Sequence, residues 1–144
     1  MANQFAQYVA NLRQALFDEQ ILNDEQFTEL ERYAADTPGR LEEICVGFFG
    51  HIVKFTDFMV LELQGPPYDS LSIDWLLDQF RGKTSVFGAT RVTHQIDCMR
   101  NNLKDRNFEA CKIAFEHIKL ECQVLQLKLE NYLKVKNQGP PAEI

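Results

Sequence analysis

The sequence predicts an all-α fold: an antiparallel up-down-up-down four-helix bundle preceded by two short N-terminal helices. Three observations carry this expectation. Apolar residues recur at intervals of three and four along most of the chain, and no segment alternates as a strand would. The connections between the last four helical segments are short, which makes consecutive helices antiparallel neighbours. A chain of 144 residues with 45% hydrophobic content falls in the size range of one domain with one core. The expected domain covers residues 1–136, with the bundle from about 37, and residues 137–144 form a frayed tail.

Each element has its own signal. Phe5, Val9, Leu12 and Leu16 define a first helix from about Gln4 to Phe17. Asn23 with Gln26 forms a capping box of the asparagine type, and Leu22 and Phe27 occupy the two staple positions, so a short second helix starts near Asp24. Thr37 before Pro38 predicts an N-cap with proline at the first helical position, opening a long third helix. Its stripe runs through Leu41, Ile44, Cys45, Phe48, Ile52, Phe55 and Met59, and Gly65-Pro66-Pro67 ends it. A fourth helix is expected from about Ser72 to Phe87, stopped by Gly88, and a fifth is capped by Thr90 with Val92, Ile96, Met99 and Leu103 inward. After a turn near Asp105 to Asn107, the last helix carries Cys111, Ala114, Phe115, Ile118, Cys122, Leu125, Leu129 and Tyr132.

Composition narrows the function. A net charge of -6 argues against a nucleic-acid backbone as partner, because such binding needs a basic surface. The charge is uneven: from Arg81 to Arg106 six cations stand against Asp97 and Asp105, leaving this stretch at +4 and the remainder at -10. A local basic field in an acidic chain suits an acidic protein partner. Cys45, Cys98, Cys111 and Cys122 lack Cys-x-x-Cys spacing and fall at apolar helical positions, so they read as reduced core thiols of a cytosolic or nuclear protein. No signal-type or membrane-spanning apolar run is recognised, and the histidines give no metal spacing. The expectation is a monomer with no cofactor, no metal, no nucleic acid and no membrane attachment.

The fourth helix holds the residues of most interest. At about 100° per residue, Ile73, Leu76, Leu77, Phe80, Thr84 and Phe87 fall between about 160° and 260° from Asp78, so Asp78 faces outward. Asp74, Arg81, Gly82 and Ser85 share its face. Glycine inside a helix costs about 1 kcal/mol relative to alanine, so Gly82 needs a reason. A close helix crossing is the structural one. Access for a partner to the position of Asp78 is the functional one, and the outward direction favours it. Trp75 sits beside this face as either a packing residue or a docking anchor.

The run Asp78-Gln79-Phe80-Arg81-Gly82-Lys83-Thr84-Ser85-Val86-Phe87-Gly88-Ala89 resembles the signature of plant histidine-containing phosphotransfer proteins, which relay phosphate in cytokinin signalling. Gln79, Gly82, Ser85, Gly88 and Ala89 match without a gap, and Arg91-Val92 continues the register. Leu16-Phe17, Ile21-Leu22 and Gln26-Phe27 resemble that family's N-terminal segment, Phe48-Phe49 its aromatic pair, and Asn107 through Cys111 the start of its last helix. The likeness spans about residues 10–135.

The resemblance implies that Asp78 stands at the phospho-accepting histidine, Arg81 at a phosphate-steadying lysine and Lys83 at a serine. An imidazole nitrogen can accept a phosphoryl group; Asp78 has none, so no catalytic residue is expected. His51 and His117, beside apolar stripes, read as partly buried structural residues, and His94 lies beyond the Gly88 break. Asp78 with Arg81 reads as an exposed pair on one helix. What the resemblance implies overall is a non-enzymatic pseudo-phosphotransfer protein, cytoplasmic and nuclear. It would bind receiver domains of hybrid sensor histidine kinases and response regulators through Trp75, Asp78, Gln79, Arg81, Gly82, Lys83, Ser85 and Val86. Two other readings stay open: a relay mediator using another nucleophile, and a helical adaptor outside phosphorelay.

Overall fold

A computed structural model describes residues 2–140. They form six helices: α1 (Ala2–Asp18), α2 (Asp24–Ala34), α3 (Arg40–Glu62), α4 (Ser70–Phe87), α5 (Thr90–Lys104) and α6 (Phe108–Gln138), with no strand among the described residues. Helices α3 to α6 close a four-helix ring by pairwise packing of α3 with α4, α4 with α5, α5 with α6, and α6 back onto α3; α2 lies against α3 and α4, and α1 against α6. The all-α bundle with two leading helices is therefore the fold.

The apolar stripes read from the sequence form the core. Leu41, Cys45, Phe48, Ile52, Phe55 and Met59 of α3 and Cys111, Ala114, Phe115, Ile118, Cys122, Leu125 and Leu129 of α6 are all buried in it. By length and mean hydropathy α3 is also apolar enough to cross a bilayer, yet its stripe is spent on this core. Phe27 of α2 packs edge-on against Phe17, Phe87 and Tyr132 and so joins four helices. Arg13 of α1 donates to Glu31 of α2 at 2.6 Å, and the Tyr132 hydroxyl of α6 donates to the same carboxylate at 3.3 Å. Burial, then the adjacent Glu31, push the Tyr132 phenol up to about 12.

Three boundaries differ from expectation. Thr37 does not cap α3. Arg40 N–H donates to the Thr37 carbonyl at 3.1 Å across Pro38-Gly39, and Gly39 at φ 79, ψ -3 has the conformation of the third residue of a type II turn. Pro38 thus belongs to a tight turn ahead of the helix. Thr90 is the first residue of α5 rather than its cap; Ala89 holds that place, and the Thr90 hydroxyl turns back to the Gly88 carbonyl. The last helix extends two residues past the expected domain end at 136, since α6 runs to Gln138 and the Asn137 amide donates to Glu42 of α3 at 2.8 Å. Residues 141–144 of the expected tail lie outside the described residues. The Asn23 cap of α2 forms as one half of the expected box: its side chain accepts from Gln26 N–H, while its own N–H donates to the Gly88 carbonyl at 2.7 Å.

Candidate functional site

What aims α4 is its inner face. Phe80 stacks on Phe55 at 4.2 Å and Phe87 stacks on Phe48 at 4.1 Å, so two aromatic pairs two turns apart fix the rotation of the helix against α3. Ile73 and Leu77 are fully buried. Thr84, the polar member of the stripe, is buried with its hydroxyl shared between the Arg81 carbonyl and the Thr93 hydroxyl of α5. The start is set by Asp69, whose carboxylate accepts from Ser72 N–H. The end is set by Gly88 at φ 85, where a side chain would also meet Cβ of Gln26 at 2.9 Å.

With the inner face fixed, the opposite side is held outward. The Asp78 side chain is 60% exposed, Trp75 is 61% and Val86 70% exposed, and Gln79, Gly82, Lys83 and Ser85 are exposed as well. A Cβ built at Gly82 meets nothing within 4 Å. The close-crossing explanation of Gly82 fails on that observation, and open surface beside Asp78 is what the glycine provides. Trp75 likewise does not serve as a buried packing residue.

The flank of α4 toward α5 is a ladder of charges. Arg81 Nε donates to Asp97 Oδ1 at 2.6 Å, and its Nη2 donates to Oδ2 at 3.2 Å. Arg100 Nε donates to Asp74 at 3.2 Å and its Nη1 to Asp78 at 3.3 Å. The hydrogen bond from Arg81 holds the Asp97 carboxyl below the usual carboxylate range, with the charges of Arg81, Arg100 and His94 adding to it against a desolvation cost. The expected pair of Asp78 with Arg81 along one helix is therefore replaced by two pairings across to α5. Arg81, expected to be available for phosphate, is engaged with a carboxylate. Asp97 and Arg100 were read in the sequence only as charges of the Arg81 to Arg106 stretch, solvated or steering, and not as partners of α4. Their signal was the order Asp-Asp-Arg on α4 (Asp74, Asp78, Arg81) against Asp-Arg on α5 (Asp97, Arg100), complementary when the helices run antiparallel. Arg91, from the same basic stretch, is paired with Glu121 of α6 at 2.6 Å.

The flank toward α3 has the opposite character. Leu30, Ile44, Gly47, Phe48, Gly82 and Val86 line much of an apolar groove of about 480 Å³. A smaller cleft of about 170 Å³ lies beside Phe58 and Trp75. His51, Gln79 and Lys83 belong to both. Gly47, like Gly82, has nothing within 4 Å of a built Cβ, so two glycines on facing helices keep the groove open. Burial, with lesser contributions from Lys83 and Lys54, lowers the pKa of His51. His51 is half-buried as expected, whereas His117 is exposed on α6 and His94 is exposed on α5, 3.8 Å from the Cys98 sulfur. Among the described residues no group of three or more His, Cys, Asp or Glu side chains is arranged to hold a metal ion. Cys45, Cys111 and Cys122 are buried free thiols and Cys98 is half-exposed. Burial pushes Cys45 and Cys122 up to about 12.

An outward carboxylate at the centre of a bundle helix, with an open glycine one turn on, can be placed among known proteins. No protein-family model matches the chain. It is 30% identical over 133 residues to pseudo histidine-containing phosphotransfer protein 2 of rice, covering 92% of this chain and 87% of the relative. It is 31% identical to rice pseudo histidine-containing phosphotransfer protein 5 over 92% and 88% of the two chains. The chain belongs to the histidine-containing phosphotransfer family. The fold agrees: the histidine-containing phosphotransfer protein MtHPt2 of Medicago truncatula superposes with a TM-score of 0.86 at 25% identity, over 93% of this chain and 91% of that one. The maize phosphotransfer protein ZmHP2 superposes with a TM-score of 0.84 at 24% identity, over 93% and 98%. At the centre of its outward α4 face this chain has a carboxylate, which cannot form a phosphoramidate.

Proposed function

We propose that this protein is a non-enzymatic pseudo-phosphotransfer protein of two-component phosphorelay. It docks receiver domains of hybrid sensor histidine kinases and response regulators on the outward face of α4, carries no phosphate, and competes with histidine-bearing relatives. One observation carries the reading. Asp78, at the position that the family resemblance gives to the acceptor, is exposed while the groove beside it, between Gly47 and Gly82, is open. Docking surface without acceptor chemistry is what a competitor requires. Trp75 and Val86 supply exposed apolar area for contact, and Lys83 supplies a cation near the groove. The cytokinin branch, a monomeric state and residence in cytoplasm and nucleus belong to this proposal.

Imitation of a phosphohistidine by Asp78 ranks below competition. A carboxylate has about one charge against nearly two on a phosphoryl group, and here Arg100 already shares it. The test is a reconstituted relay in which a phosphorylated, histidine-bearing relative passes label to a response-regulator receiver. Added in excess, this chain should slow that transfer while taking up no label. An unchanged rate at saturating concentration would sink the competitor reading.

A further inference from the structure

The charges around Asp78 do not cancel. Asp74 and Asp78 lie one turn apart and share one cation, Arg100, at 3.2 and 3.3 Å. The neighbouring cation, Arg81, is taken by Asp97 at 2.6 Å. Three carboxylates thus face two guanidinium groups, and the flank keeps one negative charge in excess. Asp78 is the most exposed of the three, at 60% against 48% and 44% for Asp74 and Asp97. Lys83 does not offset it directly, because it lies on the other flank with His51.

On the docking reading, a bound receiver sets its phospho-accepting pocket against this spot. That pocket is an aspartate among acidic ligands with a bound divalent cation. When vacant and cation-loaded, it presents the cation to whatever is docked; when phosphorylated, it presents a group of nearly two negative charges. An imidazole, neutral or protonated, accommodates both states. The cation stays in both states, and phosphorylation adds about one negative charge to the pocket, so a carboxylate set against it favours the vacant, cation-loaded state over the phosphorylated one.

Resting on the docking reading, we infer that Asp78 makes the chain selective for receiver state: it binds the vacant, cation-loaded receiver and rejects the phosphorylated one. Such a competitor acts where a charged carrier hands its phosphoryl group to a vacant receiver. It leaves alone the earlier step, in which a phosphorylated receiver charges a carrier. Arg100 sets how strong the discrimination is, since it neutralises half of the Asp74 and Asp78 pair.

Isothermal titration against an isolated response-regulator receiver tests this, with magnesium alone and with magnesium plus beryllofluoride as the aspartyl-phosphate analogue. The vacant receiver should bind about tenfold more tightly than the beryllofluoride form, a difference of the size ordinary for a juxtaposed charge at a partly solvated interface. Chelating the magnesium should weaken the first interaction. Asp78→Asn should bring the two affinities to within about twofold, and Arg100→Gln should widen the gap, each with helicity checked by circular dichroism. Equal affinities for wild type, or an unchanged ratio in folded Asp78→Asn, overturns the inference and leaves the docking reading standing. Binding to neither form overturns the docking reading and the inference together.

Discussion

The two flanks of α4 meet their neighbours in opposite ways. Toward α5 the space is closed by Arg81 with Asp97 and by Arg100 with Asp74 and Asp78; toward α3 it is left open and apolar, kept so by Gly47 and Gly82. One helix therefore carries a charge-paired side and a vacant side, with Asp78 between them. Side-chain pairing has consumed Arg81, the cation one turn along α4 from Asp78, while no other part of the described residues fills the apolar groove. Charge pairing and the open groove are thus separate properties of separate flanks, and substitutions can remove one without the other.

The largest effect should come from the residue that aims both flanks. Phe80→Ala removes a buried ring stacked on Phe55 and should cost about 3–5 kcal/mol in urea denaturation, with receiver binding lost alongside. A variant that loses this stability but binds normally would break the claim that the inner face aims the outer one. Next, Gly82→Gln should weaken receiver binding about tenfold while leaving stability unchanged or raised by up to about 1 kcal/mol, because glycine is a poor helix residue. Unaltered affinity in titration would show that the groove is not used.

The smallest effect belongs to the charged flank. The Arg81 and Asp97 side chains are 42% and 44% exposed, and exposed pairs contribute below about 1 kcal/mol, so Arg81→Ala should barely move the melting temperature in physiological salt. Its pH signature is sharper. Asp97 is held below its usual range, so the stability it contributes is present above the unfolded carboxyl value of about 3.9 and is lost as pH falls through the lower folded value. Arg81→Ala should flatten that acid limb of the stability curve. An identical limb in the variant would mean that the pair is not formed in solution.

The inner half of α4 was legible in the sequence because burial has a period: Ile73, Leu77, Phe80, Thr84 and Phe87 fall on one arc of the wheel and all are buried. Asp78 and Gly82 were legible as the complement of that arc. The pairing of Asp78 was not, because spacing along one helix offers only partners three or four residues away, whereas the true partner, Arg100, needs the register between α4 and α5. Pro38 misled for a local reason: proline suits both the first turn of a helix and the second position of a tight turn, and Gly39 at positive φ decides for the turn. His51, which shares both clefts with Gln79 and Lys83, was placed beside a core stripe, since nothing in α3 alone says which neighbour its edge meets.

The most direct test of a docking face without an acceptor is the acid-labile, alkali-stable label left on the chain after incubation with a phosphorylated receiver. The wild type should carry none. Asp78→His should carry some, because Gln79, Gly82 and Ser85 stay in register on an exposed face. The recovery should be partial, because Arg81 remains held by Asp97 and Lys83 stands in place of a small hydroxyl residue; adding Arg81→Lys and Lys83→Ser should raise it. Stoichiometric phosphohistidine on the wild type, traced to His51 or another imidazole, would contradict the account.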